Sequence, residues 1–143
     1  MVGQKIMFSG LSIYDDPNVR RLNGIDLNGT YPFDDEGVPA ERALLVDQGV
    51  LRGFLLSRAP ARGFDRSNGH GRREPGHAVV ARQANLIIDP GAPVSRATLE
   101  QALLEEVKRQ NLPYGLRFAE IVGGYTQTQR YDTQAFKVIP VMV

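Results

Sequence analysis

Cysteine is absent from this 143-residue chain, which excludes disulfides, thiolate metal ligands and a cysteine nucleophile. Lysine is scarce: Lys5, Lys108 and Lys137 are the only ones, and arginine carries most of the positive charge. Basic and acidic residues nearly cancel, 17 against 16, so no net field draws the chain to nucleic acid or to an anionic membrane. No apolar run approaches the ~20 residues of a membrane span. No basic stretch followed by an apolar core marks a signal peptide. A cytoplasmic location is therefore expected, with neither nucleic acid nor membrane as a partner. The serine elbow G-x-S-x-G and the zinc helix H-E-x-x-H are also missing.

What is present reads as α+β: mostly antiparallel β-sheet or a partial barrel, with one main helix at about 95–110. The length suits one domain, 1–143. Asp15-Asp16-Pro17-Asn18, Asn23-Gly24 and Asn28-Gly29 are turn signals. Ala43–Val46 and Val50–Leu56, joined through Asp47-Gln48-Gly49, form the clearest hairpin, with Gly49 able to take a left-handed conformation. From Ala59 to His77 the chain is rich in Gly, Arg and Pro, and reads as a long loop. Asn85–Ile88 is a short strand. Ser95 caps a helix in which Leu99, Leu103 and Val107 recur every four residues and are expected to pack on a sheet. Leu116–Val122 reads as a strand ending at Gly123-Gly124. Gln134–Val143 reads as a strand with two apolar faces, both needing cover, so the chain is expected to be a piece of a longer protein.

The candidate chemistry is thin. His70, Glu74 and His77 are zinc-ligand types, but Pro75-Gly76 between them prevents a helical metal motif. Asp34, Asp35 and Glu36 are carboxylates suited to acid–base work; as neighbours on one loop they read instead as an exposed turn. Asn68-Gly69-His70-Gly71-Arg72-Arg73 combines glycines that let backbone approach a ligand with arginines that can grip a carboxylate. Asn68, His70, Arg72 and Arg73 are accordingly the candidates for lining a substrate groove. No residue presents itself as catalytic or as a metal ligand.

Read in order, Tyr14-Asp15-Asp16-Pro17, Asp34-Asp35-Glu36-Gly37-Val38-Pro39-Ala40-Glu41-Arg42, Asp47-Gln48-Gly49-Val50-Leu51, Ser67-Asn68-Gly69-His70-Gly71-Arg72 and Arg82-Gln83-Ala84-Asn85-Leu86 resemble the TldD/PmbA family, long labelled "modulator of DNA gyrase". The resemblance implies a cytosolic zinc-dependent peptidase that degrades small or unfolded peptides and works as a homo- or heterodimer. It also implies that the zinc site lies outside this stretch, on an H-E-x-x-x-H helix before it and a cysteine after it, neither of which this sequence contains. On that reading the chain is a non-catalytic fragment of the middle-to-C-terminal part, inactive alone, with no cofactor of its own and zinc only in the parent protein. The other reading is a stand-alone β-rich peptide- or protein-binding module without enzymatic activity. Arginines of the 62–77 loop could alternatively pair with Asp34, Asp35 or Glu36 and lock it down. Isolated, that loop is expected to be poorly ordered.

Overall fold

The computed structural model describes residues 1–117, 121–127 and 135–140. The chain divides into two compact units, 1–93 and 94–143.

The first unit is built on a four-stranded sheet. Its strands are β1 (Ser12–Asp15), β4 (Ala43–Asp47), β5 (Val50–Leu51) and β8 (Leu86–Asp89), in the order β5-β4-β1-β8. Every neighbouring pair is antiparallel. A bulge between Ile13 and Tyr14 shifts the register of β1 against β4, re-aiming the end of β1. Two shorter ladders accompany it: β2 (Arg21–Leu22) with β3 (Ile25–Asp26), and β6 (Gly71–Arg72) with β7 (Val80–Ala81). Isolated bridges join Phe33 to Pro39 around the acidic loop, Lys5 to Val50 and Ala61 to Phe64.

Turn chemistry explains the hairpins. Gln48 and Gly49 have φ of 47° and 80°, and Asn23 and Gly24 have 50° and 83°. Two successive left-handed residues make the primed turn whose twist matches that of antiparallel strands. Gly49 has a second reason to be glycine: a Cβ there would lie 2.5 Å from the carbonyl oxygens of Met7 and Phe8.

The apolar core of this unit is small: Ala43, Val46, Leu51 and Ile87. Buried polar residues outnumber it, with Asp15, Asp34, Ser57, Ser67, His70 and Asn85 all inside. Hydrophobic burial alone therefore cannot account for the fold, and the hydrogen bonds of those six residues must carry part of it.

The second unit holds α1 (Arg96–Arg109), β9 (Ile121–Gln127) and β10 (Ala135–Pro140). Ser95 caps the helix, its hydroxyl accepting from the Thr98 amide. The helix ends in a Schellman arrangement around Asn111, which has φ of 53°: the Leu112 amide donates to Val107 O and the Asn111 amide to Lys108 O. Strands β9 and β10 pair antiparallel.

Four expectations change. The second hairpin strand, expected over Val50–Leu56, spans Val50–Leu51. No residue of α1 is buried, and Leu99 is 60% exposed. Leu103 and Val107 are half-buried, meeting Gly115, where a Cβ would fall 2.7 Å from Val107 Cγ2. A four-residue stripe shows that a helix has an apolar face, but not how much of that face is covered. Of the strand expected at Leu116–Val122, Leu116 and Arg117 lie outside any strand, while β9 continues past Val122 through Gly123-Gly124 to Gln127, because pairing with β10 outweighs the weakness of glycine in a strand. Of these positions, 118–120 lie outside the described residues, as do Gln134 and 141–143 from the last expected strand. Finally, the expected long loop is not loose: it contains β6, Ser67 and Asn68 are bonded to Leu56, and His70 reaches Asp15 at the end of β1.

Candidate functional site

The sequence motifs converge on one place. Asp15 ends β1 with its side chain fully buried. Its Oδ1 accepts from the amides of Ala84 (3.0 Å) and Asn85 (3.2 Å), and its Oδ2 from Ala84 (3.1 Å). Against the same Oδ1 lies Nε2 of His70, 3.2 Å away and also fully buried. The other ring nitrogen, Nδ1, is 3.0 Å from both the backbone O and the Oδ1 of Asn68.

Asn68 then stands in for a strand. Its Oδ1 accepts from the Leu56 amide at 2.8 Å and its Nδ2 donates to Phe54 O at 3.0 Å. One side-chain amide thus gives the segment 54–56 the donor and acceptor that a neighbouring backbone would supply. Asn85 does the same for the first turn: its Oδ1 accepts from Gly29 N, while its Nδ2 donates to Asp16 O and Val19 O. Asp34 folds the acidic loop back on itself, Oδ1 taking the amides of Glu36 and Val38 and Oδ2 that of Gly71, each at 2.9 Å. A Cβ at Gly71 would meet Glu36 Oε2 at 2.5 Å, so a side chain there would push the Glu36 carboxylate aside.

The four groove candidates are therefore placed differently. His70 is sealed inside and offers no surface to a ligand. Asn68, half-buried, borders an open cleft of about 280 Å³ lined also by Arg42, Leu44, Phe54, Phe64 and Arg66. Arg72 lays its guanidinium over the Tyr31 ring at 4.4 Å, with Asp35 Oδ2 3.5 Å from its Nε. Burial raises the Tyr31 hydroxyl above its ordinary range, and the Arg72 guanidinium partly offsets this. Arg73 is exposed, and its amide donates to Asp35 Oδ2 at 2.8 Å. The acidic loop does hold the glycine-rich loop, but mainly through backbone amides. Among the described residues one guanidinium of that loop, that of Arg72, reaches it, at Asp35.

Zinc finds no fitting donor set here. His70 is buried with both nitrogens engaged, whereas Glu74 and His77 are exposed. Among the described residues no three His, Asp or Glu side chains gather as a metal would need. The sequence reading missed Asp15, Asp34 and Asn85, which looked like turn formers and a strand start. The available signal was their place inside the ordered motifs.

Residues 1–138 match the model of the PmbA/TldA metallopeptidase C-terminal domain. A metalloprotease of Methanothermobacter thermautotrophicus is 38% identical over 92 residues, 63% of this chain and 19% of that protein. TldE from Thermococcus kodakarensis superposes with a TM-score of 0.55 at 27% identity, covering 68% of this chain and 21% of that one. A Thermotoga maritima protein named as a candidate modulator of a DNA gyrase gives 0.54 at 29%, covering 71% and 22%. The chain spans about a fifth of the length of these relatives. It belongs to the PmbA/TldA metallopeptidase family and matches that family's C-terminal domain.

Proposed function

We propose that this chain is a non-catalytic part of a zinc metallopeptidase that degrades small or unfolded peptides in the cytoplasm, as a homo- or heterodimer with a family member. The observation that carries the reading is the orientation of the motif side chains. Asp15, Asp34, His70 and Asn85 are turned inward onto backbone groups and one another, so they shape a scaffold rather than a reacting centre.

The peptide would meet the loop from Arg62 to His77, with Asn68, Arg72 and Arg73 as contacts and His70 holding the loop from beneath. The cleft beside Asn68 supports this, as its walls combine Phe54 and Phe64 with the charged Arg42 and Arg66, a mix suited to an extended peptide. The same cleft supports the second reading, a module that binds peptides without cleaving them.

The test is metal analysis and peptidase assay of the purified 143-residue chain. Substoichiometric zinc after dialysis and no cleavage of unfolded casein are expected. One zinc per chain, or cleavage that a chelator abolishes, would overturn the proposal. Peptide binding by the chain alone would favour the binding module. In the complete peptidase, Arg73→Ala should raise KM for peptides with the melting temperature unchanged if the loop contacts substrate.

A further inference from the structure

Arg42 stands immediately before β4 and lines the cleft beside Asn68. Its Cζ lies 3.6 Å from the centre of the Tyr14 ring. Tyr14 is the cross-strand partner of Leu44, so Arg42 and Leu44, two apart in an extended segment, share the sheet face that Tyr14 occupies. Stacking covers one face of the guanidinium and leaves its N–H donors directed outward in the plane. The other arginine of the cleft, Arg66, is already neutralised: its Nη1 is 2.7 Å from Glu41 Oε1, and the Asp65 carboxylate acts on the same group. Among the described residues no carboxylate pairs with Arg42, and it is exposed.

Beside this unpaired cation the lining is apolar. Phe54 and Phe64 brace one another edge to face, with centroids 5.6 Å apart and ring planes at 81°, and Leu44 and Phe54 are both exposed. At about 280 Å³ the cleft lies at the foot of the ~300–1,000 Å³ range of ligand pockets, room for about one residue rather than for a chain running through. Positions 42 and 44 of an extended segment are about 7 Å apart, which is roughly the reach from an α-carboxylate to the end of a large side chain on the same residue. An acidic side chain inside a peptide fits less well, because the neighbouring side chain of an extended strand points to the opposite face.

We propose that this cleft takes the C-terminal residue of a peptide, with Arg42 gripping the free α-carboxylate and Leu44, Phe54 and Phe64 receiving an aromatic or large aliphatic side chain. The proposal rests on the reading of the cleft as a peptide site and adds which part of the peptide it holds. Arg42 suits the task because its planar fork matches both carboxylate oxygens, and the ring beneath it fixes the plane in advance.

The experiment is an NMR titration of the nitrogen-15-labelled 143-residue chain, read at the backbone amides of Gly53, Leu56 and Asn68. The probes are the peptide Gly-Gly-Phe as its free acid, the same peptide with a C-terminal amide, and the amide of Gly-Asp-Phe-Gly, whose carboxylate is internal. The free acid should bind about tenfold or more tighter than either amide, as loss of a charge-assisted fork predicts. Arg42→Gln should reduce binding of the free acid to the level of its amide, and Arg42→Lys should restore only part of the difference. The comparison of acid with amide is made on the unmodified chain, so the outcome does not depend on how the variants fold. Equal affinity for the free acid and its amide would overturn the inference and leave the peptide reading of the cleft standing, as would equally tight binding of the internal carboxylate. Absence of shifts with all of the peptides at millimolar concentration would overturn both.

Discussion

Asn68 and Arg73 sit five residues apart on one loop, yet their substitution should have opposite consequences. Asn68→Ala removes the acceptor for Leu56 N and the donor to Phe54 O, and takes one of the two oxygens from His70 Nδ1. Backbone groups left without partners in a partly buried place cost more than the bond itself is worth, so a loss of about 2–3 kcal/mol is expected. Arg73 is exposed and bonds to Asp35 through its backbone amide, which alanine retains. Its substitution should stay within about 0.5 kcal/mol. Urea melts of the two variants check the contrast, and equal effects would show that the loop is held some other way. The sequence pointed to the importance of this loop but not to the direction its side chains face. Glycines and arginines read equally well as a ligand cradle or as close packing. What separates the two is whether a side-chain amide lies opposite a bare strand segment, and that depends on pairing Asn68 with residues 12 to 14 positions earlier.

Among the elements, hairpins and helix caps were the most legible, because each is decided by neighbours in sequence. The Gln48-Gly49 turn and the Ser95 cap both follow from local dihedral and hydrogen-bond rules. Gly49→Ala should cost about 2 kcal/mol or more, since it combines a left-handed φ with a contact that backbone would have to relieve. A variant melting with the unmodified chain would contradict that geometry. The helix offers a pH-dependent counterpart. Hydrogen bonds from Arg109 and then Gln110 hold the Glu106 carboxyl down to about 2, against an ordinary 4.5. A depressed carboxyl contributes stability above its unfolded value, and that contribution is lost as pH falls through about 4.5 to about 2. Because these groups are solvent-exposed, salt screens the effect. Circular dichroism should show a small, salt-sensitive loss of helix over that window, and Glu106→Gln should remove the acid dependence. Less legible was how little of Leu99, Leu103 and Val107 is covered, because the apolar stripe does not show what packs on it.

At the scale of the molecule, the first unit pairs a four-residue apolar core with a larger set of buried polar groups. That balance makes it dependent on completeness: a half-satisfied polar network is worse than an apolar core. All of the Asp15, Asp34, Asn68, His70 and Asn85 partners named above lie between Asp15 and Asn85. The polar frame needs nothing beyond residue 93 to close. A segment of 93 residues is long enough to fold alone, though not to be very stable. Residues 1–93 expressed by themselves should therefore unfold cooperatively in urea with a modest free energy, about 3–5 kcal/mol. Their amide exchange should be slowest at Gly71, Ala84 and Asn85, whose N–H groups are held by buried carboxylates. A collapsed segment without dispersed amide signals, or one in which those three amides exchange as fast as the Asn23-Gly24 turn, would mean that the buried network forms only with help from the rest of the protein.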